Sequence, residues 1–387
     1  MLIYLRRLKA NGASPDDAHL RAKCGVMSGA VGMLLNLLLF AGKLFVALAS
    51  GSVAVIADAF NNLSDAGSSI VTLIGFKLSG KKPDPEHPFG HGRIEYITGF
   101  IVSIAIILMG FELGLSSIRS IGSEKELVFS VSTVVILSLS IAVKLYMALY
   151  NRQLAKFFGS SAMKATCADS LSDSVATSAV LISLLISHYT DIQLDSYVGI
   201  LVSVFILYSG INAAKDTLKP LLGTPPEKDF VDAIEKIVIA DETIVGMHDL
   251  VVHDYGPGRC MISLHAEIPS SIDVFKAHCI IDDLENELAQ KLGCEAVIHF
   301  DPVDVNDEKL LALKQQTIDI VKSIDSSISL HDFRYIPGET HTNLVFDVVV
   351  PFGIKKCDDE LKAQISKAIS EKLPNHVCVI RCDRAMV

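Results

Sequence analysis

Carboxylates stand where an apolar sequence should have none. Residues 57–69 read ADAFNNLSDAGSS inside a long hydrophobic run. On a helix, Asp58, Asn61 or Asn62, and Asp65 recur at i, i+3 or i+4, and i+7, so they share one face. A second run reads ADSLSDS and sets Asp169 and Asp173 at i and i+4, also on one face. Each ionised Asp at mid-membrane costs about 2.5–3.5 kcal/mol, so the four together cost on the order of 10 kcal/mol. A polar site facing the inside of a helix bundle accounts for that expense. Two facing acidic pairs form an oxygen-rich cage suited to divalent cations. Neither His nor Cys stands at these four positions, and Zn²⁺ prefers such ligands. The set therefore favours Mn²⁺, with Fe²⁺ and Zn²⁺ behind it. In the competing reading, the acids cap interrupted helices or pair with Lys43 or Lys144. Asp65 is the weakest member, since it can cap or orient rather than ligate.

Two further sets contain histidine. The stretch PDPEHPFGHGRIE holds Asp84, His87 and His91, two imidazoles and one carboxylate in a loop shaped by Pro and Gly. That is a metal-ligand set, with a solvated polar loop as the equal alternative. Later in the chain come His248, His265, His278, His299 and Asp301. Five such groups in about 75 residues suggest one or two metal sites, with a surface of ordinary histidines as the alternative.

The elements that must position these residues fall into two halves. The chain has 387 residues, 50% of them hydrophobic, 20% charged, and a mean hydropathy of +0.43. A disordered chain is excluded. Eight scattered Cys without a CxxC pair exclude a disulfide scaffold. Residues 1–222 carry a net charge of +3 and residues 223–387 carry −13. The acidic half argues against nucleic acid as a partner. Apolar runs near 25–50, 53–78, 94–118, 127–150, 165–188 and 193–214 each reach about the 20 residues that cross a bilayer. The runs at 53–78 and 165–188 carry acids and are the least apolar. Residues 1–24 are basic and mixed and do not read as a cleavable signal peptide.

Lys and Arg set the orientation. Arg6, Arg7, Lys9, Arg21 and Lys23 precede the first run. Lys81, Lys82 and Arg93 lie in the second link, and Arg152, Lys156 and Lys164 in the fourth. Lys215 and Lys219 follow the last run. In the third link, Arg119 and Lys125 are offset by Glu124 and Glu126. Both termini and the acidic half are thus expected in the cytoplasm, with the first half integral to a plasma or inner membrane. The expected domains are a cytosolic segment 1–24, a six-helix transmembrane cation transport domain 25–220, a cytosolic metal-binding domain 221–305 and a second copy of it at 306–387.

Residues 228–303 read as helix, strand, strand, helix, strand. Alternation sets His299 and Asp301 on one strand face and Ile298 and Phe300 on the other. MHDLVVHDYGPGRCMISLHAEIP at 247–269 matches LHDFRYIPGETHTNLVFDVVVP at 330–351, and EAVIHFDP at 295–302 matches VCVIRCDR at 377–384. His248 then corresponds to His331 and Asp301 to Asp383. His265 becomes Asp347, His278 becomes Glu360 and His299 becomes Arg381. The second copy keeps the fold pattern, loses most ligands and reads as a packing or dimerisation module.

Over residues 10–303 the chain resembles the cation diffusion facilitator family. The features that carry the likeness are the six runs, ADAFNNLSD, ADSLSD, HPFGHGRIE and MHDL…SLHAEI…KAHCIIDDLE…VIHFDP. The resemblance implies an all-α transmembrane bundle and an α+β ferredoxin-like cytosolic domain, here apparently duplicated. It implies divalent-metal efflux by a homodimer, usually driven by proton antiport, and no catalytic cofactor. It places transport ligands at Asp58, Asn62, Asp169 and Asp173, a loop site at Asp84, His87 and His91, and a cytosolic site at His248, His265, His278, His299 and Asp301. Zinc-type members usually have His where Asp169 stands, and many members have Asp where Asn62 stands. Both departures point to the manganese-type branch. A passive divalent channel would favour rings of like residues instead of two distinct pairs. A metalloenzyme would need a motif such as HExxH, GxSxG or a P-loop, and none occurs.

Overall fold

The computed structural model describes residues 1–387 apart from 2, 5, 6, 8, 9, 11, 13, 16, 51, 52, 122–129, 191–194, 352, 355, 356 and 385–387. For 46–50, 53–58, 187 and 195 only the backbone is described. Arg6, Lys9, Glu124, Lys125 and Glu126, used above for orientation, and the side chain of Asp58 therefore lie outside the described residues. The chain divides into two compact units, residues 1–224 with 254–260, and residues 225–253 with 261–387.

Six long helices of the first unit lie among the described residues. They are α1 (Ala18–Ser50), α2 (Val53–Ser79), α3 (Ile94–Arg119), α4 (Val131–Phe158), α5 (Ser161–Thr190) and α6 (Asp195–Leu222). Five of them contain stretches long and apolar enough to cross a membrane, namely Ala18–Phe45, Ile94–Arg119, Val131–Phe158, Ser161–Thr190 and Ser196–Leu222. In α2 the polar residues around Asn61, Asn62 and Asp65 lower the apolarity. The unit buries polar side chains alongside its apolar core and leaves large apolar ones outside. Asn36, Lys43, Asn62, Lys144 and Asn151 are buried, while Leu38, Phe45, Leu108, Leu139 and Leu201 are exposed. That pattern suits a hydrocarbon surround, where buried polar groups need partners and apolar ones do not. Ser28 Oγ, for example, donates to Asn151 Oδ1 at 2.6 Å.

One link differs from the sequence reading. Arg152 and Lys156 lie inside α4 and Lys164 inside α5, because Gly159 ends α4 in the left-handed conformation, φ +62°, its N–H bonding the carbonyl of Ala155. Ser160 then caps α5, its Oγ accepting from the Met163 N–H at 3.1 Å. Two residues make the whole turn.

The second unit carries two three-stranded sheets. Helix α7 (Lys228–Val238) precedes β1 (Gly246–Asp254) and β2 (Cys260–Pro269), and α8 (Val274–Leu292) precedes β3 (Cys294–Val303), with sheet order β1-β2-β3. Then come α9 (Glu308–Ile324), β4 (Ser329–Pro337), β5 (Thr342–Val350), α10 (Asp358–Lys372) and β6 (His376–Arg384), with order β4-β5-β6. Strands β4 and β5 are antiparallel, and β5 and β6 are parallel. Leu344, Phe346, Val348 and Val350 alternate along β5 and are fully buried against Ile320 and Val321 of α9 and Ile365 and Ile369 of α10. Polar side chains take the other face. On β2, Ile262, Leu264, Ala266 and Ile268 do the same and leave His265 on the polar face.

Candidate metal centres

The buried acids of the first unit converge on a lysine. Lys144 Nζ on α4 lies 2.7 Å from Asp65 Oδ2 on α2 and 2.6 Å from Asp173 Oδ2 on α5. Asp169 sits one turn before Asp173, is buried, and feels Asp173, Asp65 and Lys144 electrostatically. Lys43 of α1 is buried and acts on Asp65 at longer range. The pairing that the sequence offered as its competing reading is thus formed for Asp65 and Asp173. Asp65 is a direct member of the group. Asn62 is buried, Asn61 is exposed, and Asp58 has only its backbone described on α2. Together Asp65, Asp169, Asp173 and Lys144 form a compact charged group between three helices.

The loop set closes on itself. Asp84 and His87 exchange backbone hydrogen bonds, and the His87 N–H also donates to Asp84 Oδ1 at 2.8 Å. That bond holds the half-buried Asp84 carboxyl below the usual carboxylate range. His91 Nε2 lies 3.3 Å from Asp84 Oδ2 and His87 Nδ1 3.6 Å from Asp84 Oδ1. Buried His91 Nδ1 has no hydrogen-bond partner. Three donor atoms, one on each residue, lie within 4.8 Å of one another.

In the second unit, Asp301 of β3 gathers three histidines. His265 Nδ1 on β2 is 2.8 Å from Asp301 Oδ2, His248 Nε2 on β1 is 3.3 Å from the same oxygen, and His299 Nε2 is 3.3 Å from Oδ1. His265, His299 and Asp301 form one candidate donor group, and His248, Asp249 and His265 form another. His278, exposed on α8, belongs to neither. Asp249 was missed in sequence because a regular strand points it away from His248. Its φ of +53° breaks that alternation.

Residues 30–222 match the cation efflux transmembrane domain, and residues 226–303 match the cytoplasmic domain of cation efflux proteins. The chain belongs to the cation efflux family. Among similar family members, an uncharacterized transporter of Methanocaldococcus jannaschii is 30% identical over 70% of this chain and 95% of its own length. The cation-efflux pump FieF of Pectobacterium atrosepticum is 29% identical over 76% of this chain and 97% of its own. FieF of Serratia proteamaculans is 26% identical over the same shares. This cation efflux protein is accordingly an integral membrane transporter of divalent cations. Its residues 304–387 lie beyond the matched domains.

Proposed function

We propose that the chain exports Mn²⁺ in preference to Zn²⁺ or Fe²⁺, in exchange for protons, as a homodimer with both termini in the cytoplasm. All six helices of the first unit span the membrane in this reading, with domains at 25–220 and 221–305 and a duplicated cytosolic copy at 306–387. The observation that carries it is the buried group of Asp65, Asp169, Asp173 and Lys144. Its anionic donors are all oxygen, the ligand type that Mn²⁺ accepts and Zn²⁺ uses less readily. Asp58 and Asn62 complete the ligand set in this reading.

Lys144 gives the site a resting state. Its ammonium holds Asp65 and Asp173 together in low dielectric, where an unpaired carboxylate is costly. A divalent ion arriving from the cytoplasm takes over those oxygens, and rocking of the helices opens the site outward. Protons compete with the ion for the same oxygens and promote its release. The loop and cytosolic donor groups sense metal load. Exposed His278 stands apart from both groups of its own chain, where a second copy can reach it. A passive channel is the rival reading.

Flux into proteoliposomes loaded with a metal-responsive dye tests this. Mn²⁺, Fe²⁺, Zn²⁺ and Co²⁺ are compared with and without a pH gradient, with Asp173→Ala as the inactive reference. The expected result is Mn²⁺ flux that rises with the gradient and is lost in Asp173→Ala, whose cytosolic sites still fill. Zn²⁺ flux above Mn²⁺ would overturn the ion assignment, and flux indifferent to the gradient would support the channel.

A further inference from the structure

The copy at 306–387 keeps two donors in one place. His331 on β4 pairs in register with Asp347 on β5, and Asp347 with Arg381 on β6. Asp383 lies two residues beyond Arg381, on the same face. That is the polar face, opposite the Phe346 and Val348 core. His331 is nevertheless buried, at 9% exposure, because the first sheet covers it. The His248 ring stacks on the His331 ring with centroids 4.7 Å apart, and Asp249 Oδ1 lies 3.7 Å from His331 Nε2. One donor atom each from Asp249, His331 and Asp383 falls within 4.8 Å of the others.

The polar atoms here lack partners. Neither nitrogen of His331 has a hydrogen-bond partner, nor does Asp383 Oδ2. A buried polar group left so costs about 1–3 kcal/mol, and unpartnered polar atoms on both His331 and Asp383, with one donor atom of each within 4.8 Å of Asp249, call for a ligand. Asp249 reaches it through a left-handed backbone, φ +53°, and Asp332, its counterpart in the second copy, has φ +50°. The β4–β5 register also shifts between His331 and Arg334. Such irregularities re-aim side chains, and strained conformations cluster at functional positions.

We propose that Asp249, His331 and Asp383 bind a divalent transition-metal ion that joins the two cytosolic copies. One imidazole and two carboxylates suit a borderline ion such as Zn²⁺ or Mn²⁺. Water fills the remaining positions. Asp249 turns Oδ1 to His331 and Oδ2 to His248 Nδ1, 3.6 Å away, so its carboxylate bridges this site and the His248–His265 group. Arg381 does not block the site. Its guanidinium is mostly exposed and engages Asp383 Oδ1 at 3.2 Å, leaving Oδ2 free.

Binding stoichiometry tests the site without reference to flux, so its failure is distinguishable from failure of the transport reading. The full chain in detergent is stripped with chelator and titrated with Zn²⁺ by calorimetry and with Co²⁺ by visible absorption. His331→Gln and Asp383→Asn are each expected to bind one ion fewer per chain than the parent. Arg381→Gln removes a neighbouring cation and is expected to bind that ion several-fold more tightly, a gain that misfolding cannot produce. Unchanged stoichiometry in His331→Gln and Asp383→Asn, or unchanged affinity in Arg381→Gln, would overturn the proposal.

Discussion

Lys144 and Asp169 carry the sharpest tests at the scale of single residues. Lys144→Met leaves Asp65 and Asp173 buried without their cation, and breaking such a pair costs about 3–5 kcal/mol. The metal-free variant should melt at lower temperature than the parent, and added Mn²⁺ should restore more of that loss than it adds to the parent. Scanning fluorimetry in detergent reads both. Asp169→His supplies an imidazole to the buried group and should raise the Zn²⁺/Mn²⁺ flux ratio by about tenfold, equivalent to about 1.4 kcal/mol of selectivity. An unchanged ratio would mean that ligand type does not set selectivity. Asp169 and Asp173 were legible in sequence because spacing on one helix is local. The part taken by Asp65 was not, since its contact with Lys144 joins α2 to α4 and is not a property of either segment alone. The Asp249 contribution was hidden by the assumption of a regular strand. The His-Asp pair repeated at 248–249 and 331–332 was the signal for it.

Helix contacts and caps decide what holds these residues in place. A Cβ on Gly29 of α1 would meet the backbone N of Leu73 on α2 at 2.8 Å, so the two helices touch there backbone to backbone. Gly29→Val should cost about 1–3 kcal/mol through overpacking and lower both melting temperature and flux by moving α2. At the start of α9, Asp307 accepts from the Lys309 and Leu310 N–H groups and from Tyr335 Oη. The backbone bond from Leu310 leads in holding its carboxyl below the usual range. A depressed folded-state pKa means that this stabilisation is present above about pH 4, the unfolded value, and is lost as pH falls through the lower one. Asp307→Ala should therefore lower the melting temperature at neutral pH and flatten its fall on acidification. The element order of the second unit was legible from strand alternation and turn residues. The short α4–α5 turn was not, because Arg152, Lys156 and Lys164 suggested a longer polar link, whereas long basic side chains are carried within helix ends.

For the whole molecule, the family, the apolar half and the acidic half could be read from sequence, since each is a property of long stretches. How the β4-β5-β6 sheet lays its polar face onto the β1-β2-β3 sheet could not, since pairing His248 with His331 in a sequence alignment does not show that they touch. The Lys144 cluster has an electrical side as well. With all groups ionised, Asp65, Asp169, Asp173 and Lys144 together carry about two negative charges. In the proposed cycle a divalent ion seated among these four cancels their two charges, so this group crosses the membrane field loaded without electrical work. On the proposed return stroke protons take the ion's place, and with fewer than two of them the group moves net negative charge, at about 2.3 kcal/mol per charge per 100 mV. Membrane voltage should then act on the return stroke alone. With a clamped potential, saturating cytosolic Mn²⁺ makes turnover follow voltage if return limits the cycle. Isotopic Mn²⁺ exchange between two metal-filled sides, which skips the proton-carrying return, should ignore it.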